Sequence, residues 1–132
     1  MIDFILPVST LYVGLNGLIG LVLAMLVSRR RMAAKISIGD GGDPELMRVI
    51  RAHANFSEYA PLALLFIVVL ELGPAPSWLL HALGATFTVG RLAHAQGMIA
   101  SARPGPARGL GVLATWLVYI VGPLACLYYA WS

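Results

Sequence analysis

The chain has 132 residues, of which 59% are apolar and only 11% are charged. Its mean hydropathy of +0.82 excludes an ordinary soluble domain of this size, which needs more polar surface. The net charge of +3 comes from basic residues that flank apolar runs, without an aromatic and basic binding platform, so no nucleic-acid partner is expected. We therefore expect an integral, multi-pass membrane protein in contact with lipid.

Four long apolar runs predict four membrane-spanning helices. The first covers about residues 4–28 and exceeds the roughly 20 residues that cross a bilayer as a helix. A cleaved signal peptide would begin with basic residues, whereas here they follow the apolar run. The other helices are predicted at about residues 44–72, 76–98 and 108–131. The fold class is thus an all-α membrane bundle, with residues 1–132 forming a single four-helix transmembrane domain.

Basic residues are concentrated in the first and third connections and at the start of the second helix. The second connection, GPAPS, contains none. Because Lys and Arg favour the cytoplasmic side, we expect the first and third connections to be cytoplasmic and both termini to be external.

The second predicted helix carries a polar face just before its most apolar segment. At 100° per residue, Arg51, Asn55 and Glu58 fall within a stripe about 60° wide, flanked by Arg48 and Tyr59. Such a cluster in a chain with so few charges points to a binding site.

A simpler interpretation is that Arg51 and Glu58 only form an ion pair, or that Arg48 and Arg51 extend to the membrane interface. However, Glu58 lies two turns deeper than Arg51, and ionisable residues at such depth face a bundle interior or a cavity. A cation and a carboxylate on one stripe also complement a zwitterionic ligand. Pro61 removes the donor for the Ser57 carbonyl, and such backbone is tolerated beside a wet cavity.

These motifs resemble a known family. The pattern RxxRAHxNxxEYxP at residues 48–61, followed by GRLAHAQG at residues 90–97, is similar to the MAPEG superfamily, the membrane-associated proteins in eicosanoid and glutathione metabolism. The segment SIGDGGDPEL is most similar to the small bacterial members. The resemblance covers nearly the whole chain. It implies a homotrimer in a bacterial inner membrane, with glutathione as co-substrate between adjacent subunits near the cytoplasmic side and no metal.

Motif positions assign candidate residues within this resemblance. Arg51, Asn55, Glu58 and Tyr59 are similar to the family's glutathione-contacting residues, and Arg48 lies beside them. The eicosanoid-type members carry two glutathione-contacting tyrosines on the third helix, where this chain has His94 and Met98. His94 can replace a tyrosine hydroxyl as a donor, or it can pack against a neighbouring helix.

The family's thiol-activating arginine lies near the start of the fourth helix. Arg108 is the preferred match and Arg103 is the alternative, although both can simply enforce topology. The chemical need is that a free thiol has a pKa of about 8.5, which nearby cations lower. On the third helix, Arg91 is expected to form an internal ion pair with Glu58 or Glu71.

The resemblance thus implies an integral membrane glutathione-binding protein, a glutathione transferase or peroxidase that acts on lipophilic electrophiles. The alternatives are a non-catalytic membrane scaffold of the same fold and a small transport subunit. A transport subunit is disfavoured because the first span lacks a coupling carboxylate. The three histidines show no recognised zinc spacing.

Overall fold

The computed structural model describes residues 5–131, and these residues form four α-helices. They are α1 (Pro7–Ala34), α2 (Pro44–Leu72), α3 (Ser77–Ala100) and α4 (Pro106–Trp131). The predicted limits at residues 1–4 and at Ser132 lie outside the described residues.

The first helix extends beyond its predicted end at residue 28. It continues to Ala34 because the arginines, Met32 and alanines of this segment all favour helical backbone. Lys35 then ends the helix in the left-handed conformation, with φ 56°, and its amide caps carbonyls of the last turn. The basic end of α1 is therefore helical rather than part of a long loop.

The start of α2 is held by a side-chain cap. The Asp43 carboxylate accepts hydrogen bonds from the amides of Glu45 and Leu46, at 2.9 and 3.1 Å, and Pro44 occupies the first helical position. The bond from the Leu46 amide is the main reason that the pKa of Asp43 lies below its usual value. From this cap α2 continues through Pro61 to Leu72.

Among residues 5–131, three helices, α1, α2 and α4, are long and apolar enough to cross a membrane. The remaining helix, α3, has 24 residues and contacts all three of the others. Its buried residues include Arg91 and His94, which accounts for its lower apolar character. The helix that carries a buried arginine and a buried histidine is thus packed against every other helix of the bundle.

Glycines bring α3 and α4 into close contact. A Cβ atom added to Gly97 would lie 2.8 Å from the backbone nitrogen of Arg108, and one added to Gly111 would lie 2.7 Å from that of His94. Both distances are shorter than real side-chain contacts allow. Only glycine permits this approach, which sets Arg108 against the end of α3 that carries His94.

The two ends of the bundle differ in charge. At one end, the Arg48 guanidinium donates to the Ile99 carbonyl at 3.2 Å, so the start of α2 meets the end of α3. At the other end, the Glu71 carboxylate accepts bonds from the Val8 and Ser9 amides, at 2.8 and 2.6 Å. The first and third connections, which carry the basic residues, therefore share one end.

Candidate functional site

A pocket of about 220 Å³ lies between α2, α3 and α4, towards the basic end of the bundle. Polar and charged side chains from all three helices form much of its wall. The lining residues are Asn55, Tyr59, Arg91, His94, Arg108, Val112, Thr115 and Trp116.

Arg91 is the most buried charged residue in this wall, with 2% of its surface exposed. Its Nη1 atom donates to Oδ1 of Asn55 at 2.6 Å, and its Nη2 atom lies 3.4 Å from the Gly111 carbonyl oxygen. The guanidinium carbon lies 5.4 Å from the centre of the Tyr59 ring, while Nε has no hydrogen-bond partner. Within residues 5–131, the cation therefore has neutral partners and no carboxylate.

The predicted ion pair of Arg91 with Glu58 or Glu71 is wrong. Glu71 caps the start of α1, at the opposite end of the bundle from the pocket. Glu58 precedes Tyr59 by one residue, which turns it about 100° away from the side chain that faces Arg91. It lies instead on the outer surface of α2, where one carboxylate oxygen is 4.0 Å from Nη1 of Arg51.

The contact with Arg91 fixes what Asn55 offers to the pocket. Because Oδ1 accepts from the guanidinium, the remaining hydrogen-bonding capacity of the Asn55 amide lies mainly in its Nδ2 donor. Thr115 donates its own hydroxyl proton at 2.8 Å to the carbonyl of Gly111, four residues earlier in α4, so this hydroxyl proton is already used within the helix. With two guanidinium groups and an amide donor, the pocket is suited to an anionic group.

Arg108 and His94 form the part of the wall where α3 and α4 meet. Arg108 belongs to the first turn of α4 and is partly buried, while His94 has 4% of its surface exposed. Gly97 and Gly111 give the close helix contact that brings these two residues to one pocket. A negative charge placed here would also lie near the positive end of the α4 dipole.

The structure gathers four of the sequence-predicted site residues in this pocket: Asn55, Tyr59, His94 and Arg108. The other four lie outside it. Arg51 and Glu58 are about half exposed, Arg48 binds the Ile99 carbonyl, and Arg103 is exposed in the connection before α4.

Sequence reasoning did not assign Arg91, Thr115 or Trp116 to the site. The available signal is the three-residue spacing of Arg91 and His94, which puts both side chains on one face of α3. Arg91 was instead expected to form an ion pair, because Glu58 and Glu71 were both possible partners in the sequence. Nothing in the sequence pointed to Thr115 or Trp116. The face of α4 that meets the pocket depends on how this helix packs against α3. Among residues 5–131, no group of three metal-ligating side chains forms a candidate metal site.

Comparison with known proteins identifies the family. The profile of the MAPEG family matches residues 9–128. Inner membrane protein YecN of Escherichia coli strain K12 is 36% identical over 122 residues, which cover 92% of this chain and 92% of that protein. The YecN protein of Escherichia coli O6:H1 strain CFT073 matches with the same identity and coverage. The chain belongs to the MAPEG family, and the predicted all-α, four-helix membrane bundle is confirmed.

A carboxylate placed next to Arg91 tests whether the positive charge of this residue lacks an anionic partner. We expect Asn55→Asp to keep the free energy of unfolding within about 1 kcal/mol of the wild type, because a carboxylate replaces the carbonyl oxygen against the guanidinium. Asn55→Leu, of similar size, removes the acceptor and should cost roughly 1.5 to 3 kcal/mol. Thermal unfolding in detergent, followed by circular dichroism, measures both. If Asn55→Asp is as destabilising as Asn55→Leu, Arg91 does not carry an unmatched charge.

Proposed function

We propose that this protein binds glutathione in the membrane and uses its thiolate to attack lipophilic electrophiles, as a glutathione transferase or peroxidase. The observation that carries the proposal is the pocket lined by both Arg91 and Arg108, neither of which pairs with a carboxylate within the described part of the chain. A buried cation is stable only with a partner, so such a pocket favours an anionic ligand. Family membership and the resemblance to glutathione-binding motifs support glutathione as that ligand.

Glutathione has two carboxylates and one ammonium group, and this chain carries complementary groups near the pocket. The guanidinium groups of Arg51 and Arg48 suit the carboxylates, while the Glu58 carboxylate suits the ammonium. The pocket itself is then left for the central cysteine of the ligand. The pocket volume within one protomer is about 220 Å³, which suits one part of glutathione rather than the whole molecule. The rest of the ligand would extend along α2.

The position of Arg51 and Glu58 supports association with a second copy of the chain, and the family resemblance implies that the assembly is a homotrimer. Their side chains are 51% and 55% exposed on the outer surface of a membrane-spanning helix. Ionisable groups at membrane depth normally face protein or a water-filled cavity, because exposure to lipid is costly. A second copy of the chain would cover this surface and place the glutathione site between adjacent subunits.

The pocket residues suit thiol activation. A cation beside the sulfur lowers the pKa of a thiol, because it stabilises the charged form. Arg108, in the first turn of α4, is the proposed source of this stabilisation, and Arg103 is the alternative. The thiolate sulfur then bonds to an electrophilic carbon while the leaving group departs with its electron pair. Val112 and Trp116 give the pocket an apolar border for such a substrate.

The charge distribution also supports an orientation. The basic first and third connections share one end of the bundle, and we propose that this end faces the cytoplasm, with both termini external. By similarity to the Escherichia coli inner membrane protein, the proposed location is a bacterial inner membrane.

A scaffold without chemistry is the second candidate, because His94 and Met98 stand where eicosanoid-type relatives have tyrosines. The pocket favours the binding function over a scaffold, because Arg91 and Arg108 both line it and neither pairs with a carboxylate among residues 5–131. Binding of glutathione distinguishes these functions.

Single changes on the outer face of α2 test the proposed contacts with the ends of glutathione. We expect Arg51→Met and Glu58→Gln each to weaken glutathione binding roughly tenfold to hundredfold, since a charge-assisted hydrogen bond contributes about 1.5 to 3 kcal/mol. Isothermal titration calorimetry of the detergent-purified protein measures the affinities. If the two residues only satisfy each other, the double variant will bind glutathione like the wild type.

Arginine substitutions distinguish binding from thiol activation. We expect Arg108→Ala to retain most glutathione affinity but to lose thiolate absorbance of the bound ligand at neutral pH, because the cation stabilises the sulfur rather than the peptide ends. Ultraviolet difference spectra measure the thiolate. The matched variant Arg103→Ala should keep the signal. If Arg103→Ala abolishes the signal and Arg108→Ala does not, the assignment of the activating arginine is wrong.

A further inference from the structure

Tyr119 connects α4 to α2 next to the pocket. It lies four residues after the pocket residue Thr115, so it shares a face of α4 with Thr115, one turn further from the basic end. Its hydroxyl donates to the backbone carbonyl of Tyr59 at 2.8 Å. Tyr59 itself lines the pocket. The bond from Tyr119 therefore reaches the site through the main chain of α2.

The carbonyl that Tyr119 binds belongs to a turn of α2 that lacks one internal hydrogen bond. Pro61 has no N–H group, so the Ser57 carbonyl is without its usual helical donor. The Ser57 hydroxyl donates back to the His53 carbonyl at 3.0 Å, a type of contact that often bends helices. In membrane helices, hydrogen bonds from neighbouring helices can stabilise such a turn. Tyr119 provides one of these bonds, at Tyr59.

Ring contacts fix the orientation of the Tyr119 side chain. Its ring meets the rings of Tyr59 and Phe66 edge to face, with centroid distances of 5.3 and 5.7 Å. Gly122, three residues further along α4, makes room for Phe66, because an added Cβ atom would lie 2.7 Å from the Phe66 ring. The hydroxyl that binds α2 is thus carried by a ring that is already held by packing.

Tyr59 transmits this placement to the buried cation of the pocket. The guanidinium carbon of Arg91 lies over the Tyr59 ring, 5.4 Å from its centre. The attraction between a cation and a ring depends on the cation lying over the ring face at short range. Together with the bond from Arg91 to Asn55, this contact limits the directions in which the guanidinium can point. A chain of contacts thus leads from Tyr119 through Tyr59 to Arg91.

We propose that Tyr119 is a positioning residue for the ligand of this pocket. Through the Tyr59 carbonyl it holds the Tyr59 ring against Arg91, and it so keeps the guanidinium directed towards an anionic group of glutathione. This role rests on the glutathione-binding function proposed above. The structural alternative is that the bond only joins α4 to α2 and stabilises the bundle.

Tyr119→Phe tests this role, because it removes the hydroxyl and keeps the ring contacts. We expect glutathione affinity, measured by calorimetry in detergent, to fall roughly twofold to tenfold, as for the loss of one net hydrogen bond. In a Tyr59→Leu background, which lacks the ring, the same change should not weaken binding further, whereas the melting temperature should fall in both backgrounds. Unchanged affinity of Tyr119→Phe, or an equal loss of affinity in both backgrounds, would overturn the proposal.

A second measurement needs no ligand. An aromatic ring shifts the NMR signals of protons near its face, so the Nε–H signal of Arg91, in protein with isotope-labelled arginine, reports whether the Tyr59 ring lies over the guanidinium. We expect Tyr119→Phe to move this signal towards its position in Tyr59→Leu. A signal that stays at its wild-type position in Tyr119→Phe would contradict the positioning role.

Tyr128→Phe is the matched control. It removes the same hydroxyl from α4 nine residues further along, where the side chain is 67% exposed. It should change neither the glutathione affinity nor the Arg91 signal, and an equal effect of this variant would overturn the assignment to Tyr119. If the wild type binds no glutathione, the function proposed above fails, and the Arg91 signal alone then decides whether Tyr119 positions Tyr59.

Discussion

The hydrogen bond from Arg91 to Asn55, 2.6 Å long, is the interaction on which the candidate site depends. It buries a guanidinium among three helices and gives it only neutral partners among the described residues. In a membrane protein such a charge is costly to enclose, and its presence is best explained by a function. The same contact leaves the Asn55 amide as a donor. The pair of Arg91 and Asn55 therefore has two consequences. It leaves a buried cation in need of an anionic partner, and it makes the pocket suitable for an anionic ligand.

Close helix packing brings the second cation to this pair. Gly97 and Gly111 let α3 and α4 approach at distances that no side chain would permit, and Arg108 enters the pocket from the first turn of α4. Without a hydrophobic driving force between helices in lipid, small residues and interhelical hydrogen bonds determine how helices pack. The glycines therefore have a direct effect on the electrostatics of the site.

The sequence predicts those parts of the candidate site that depend on spacing within one helix, but not those that depend on how two helices pack. Helical spacing on α2 identified Asn55 and Tyr59, because both residues lie in one short segment and helix geometry fixes their relative positions. The same spacing put Arg51 and Glu58 on the stripe, but it could not show which edge of the stripe faces α3 and which faces outward. Arg91 was misassigned because its partner depends on the rotation of α3 against α2. The cap at Asp43 was predictable, since the capping residue and Pro44 are neighbours in the chain.

The central claim is that the pocket binds glutathione and stabilises its thiolate. The most direct measurement is calorimetric titration of the wild-type protein with glutathione and with its S-hexyl conjugate, in two neutral buffers that differ in ionisation enthalpy. Both ligands should release heat of binding, but only glutathione should release a proton, because only its sulfur can lose one. Absence of binding by both ligands, or the same proton exchange with both, would contradict the account.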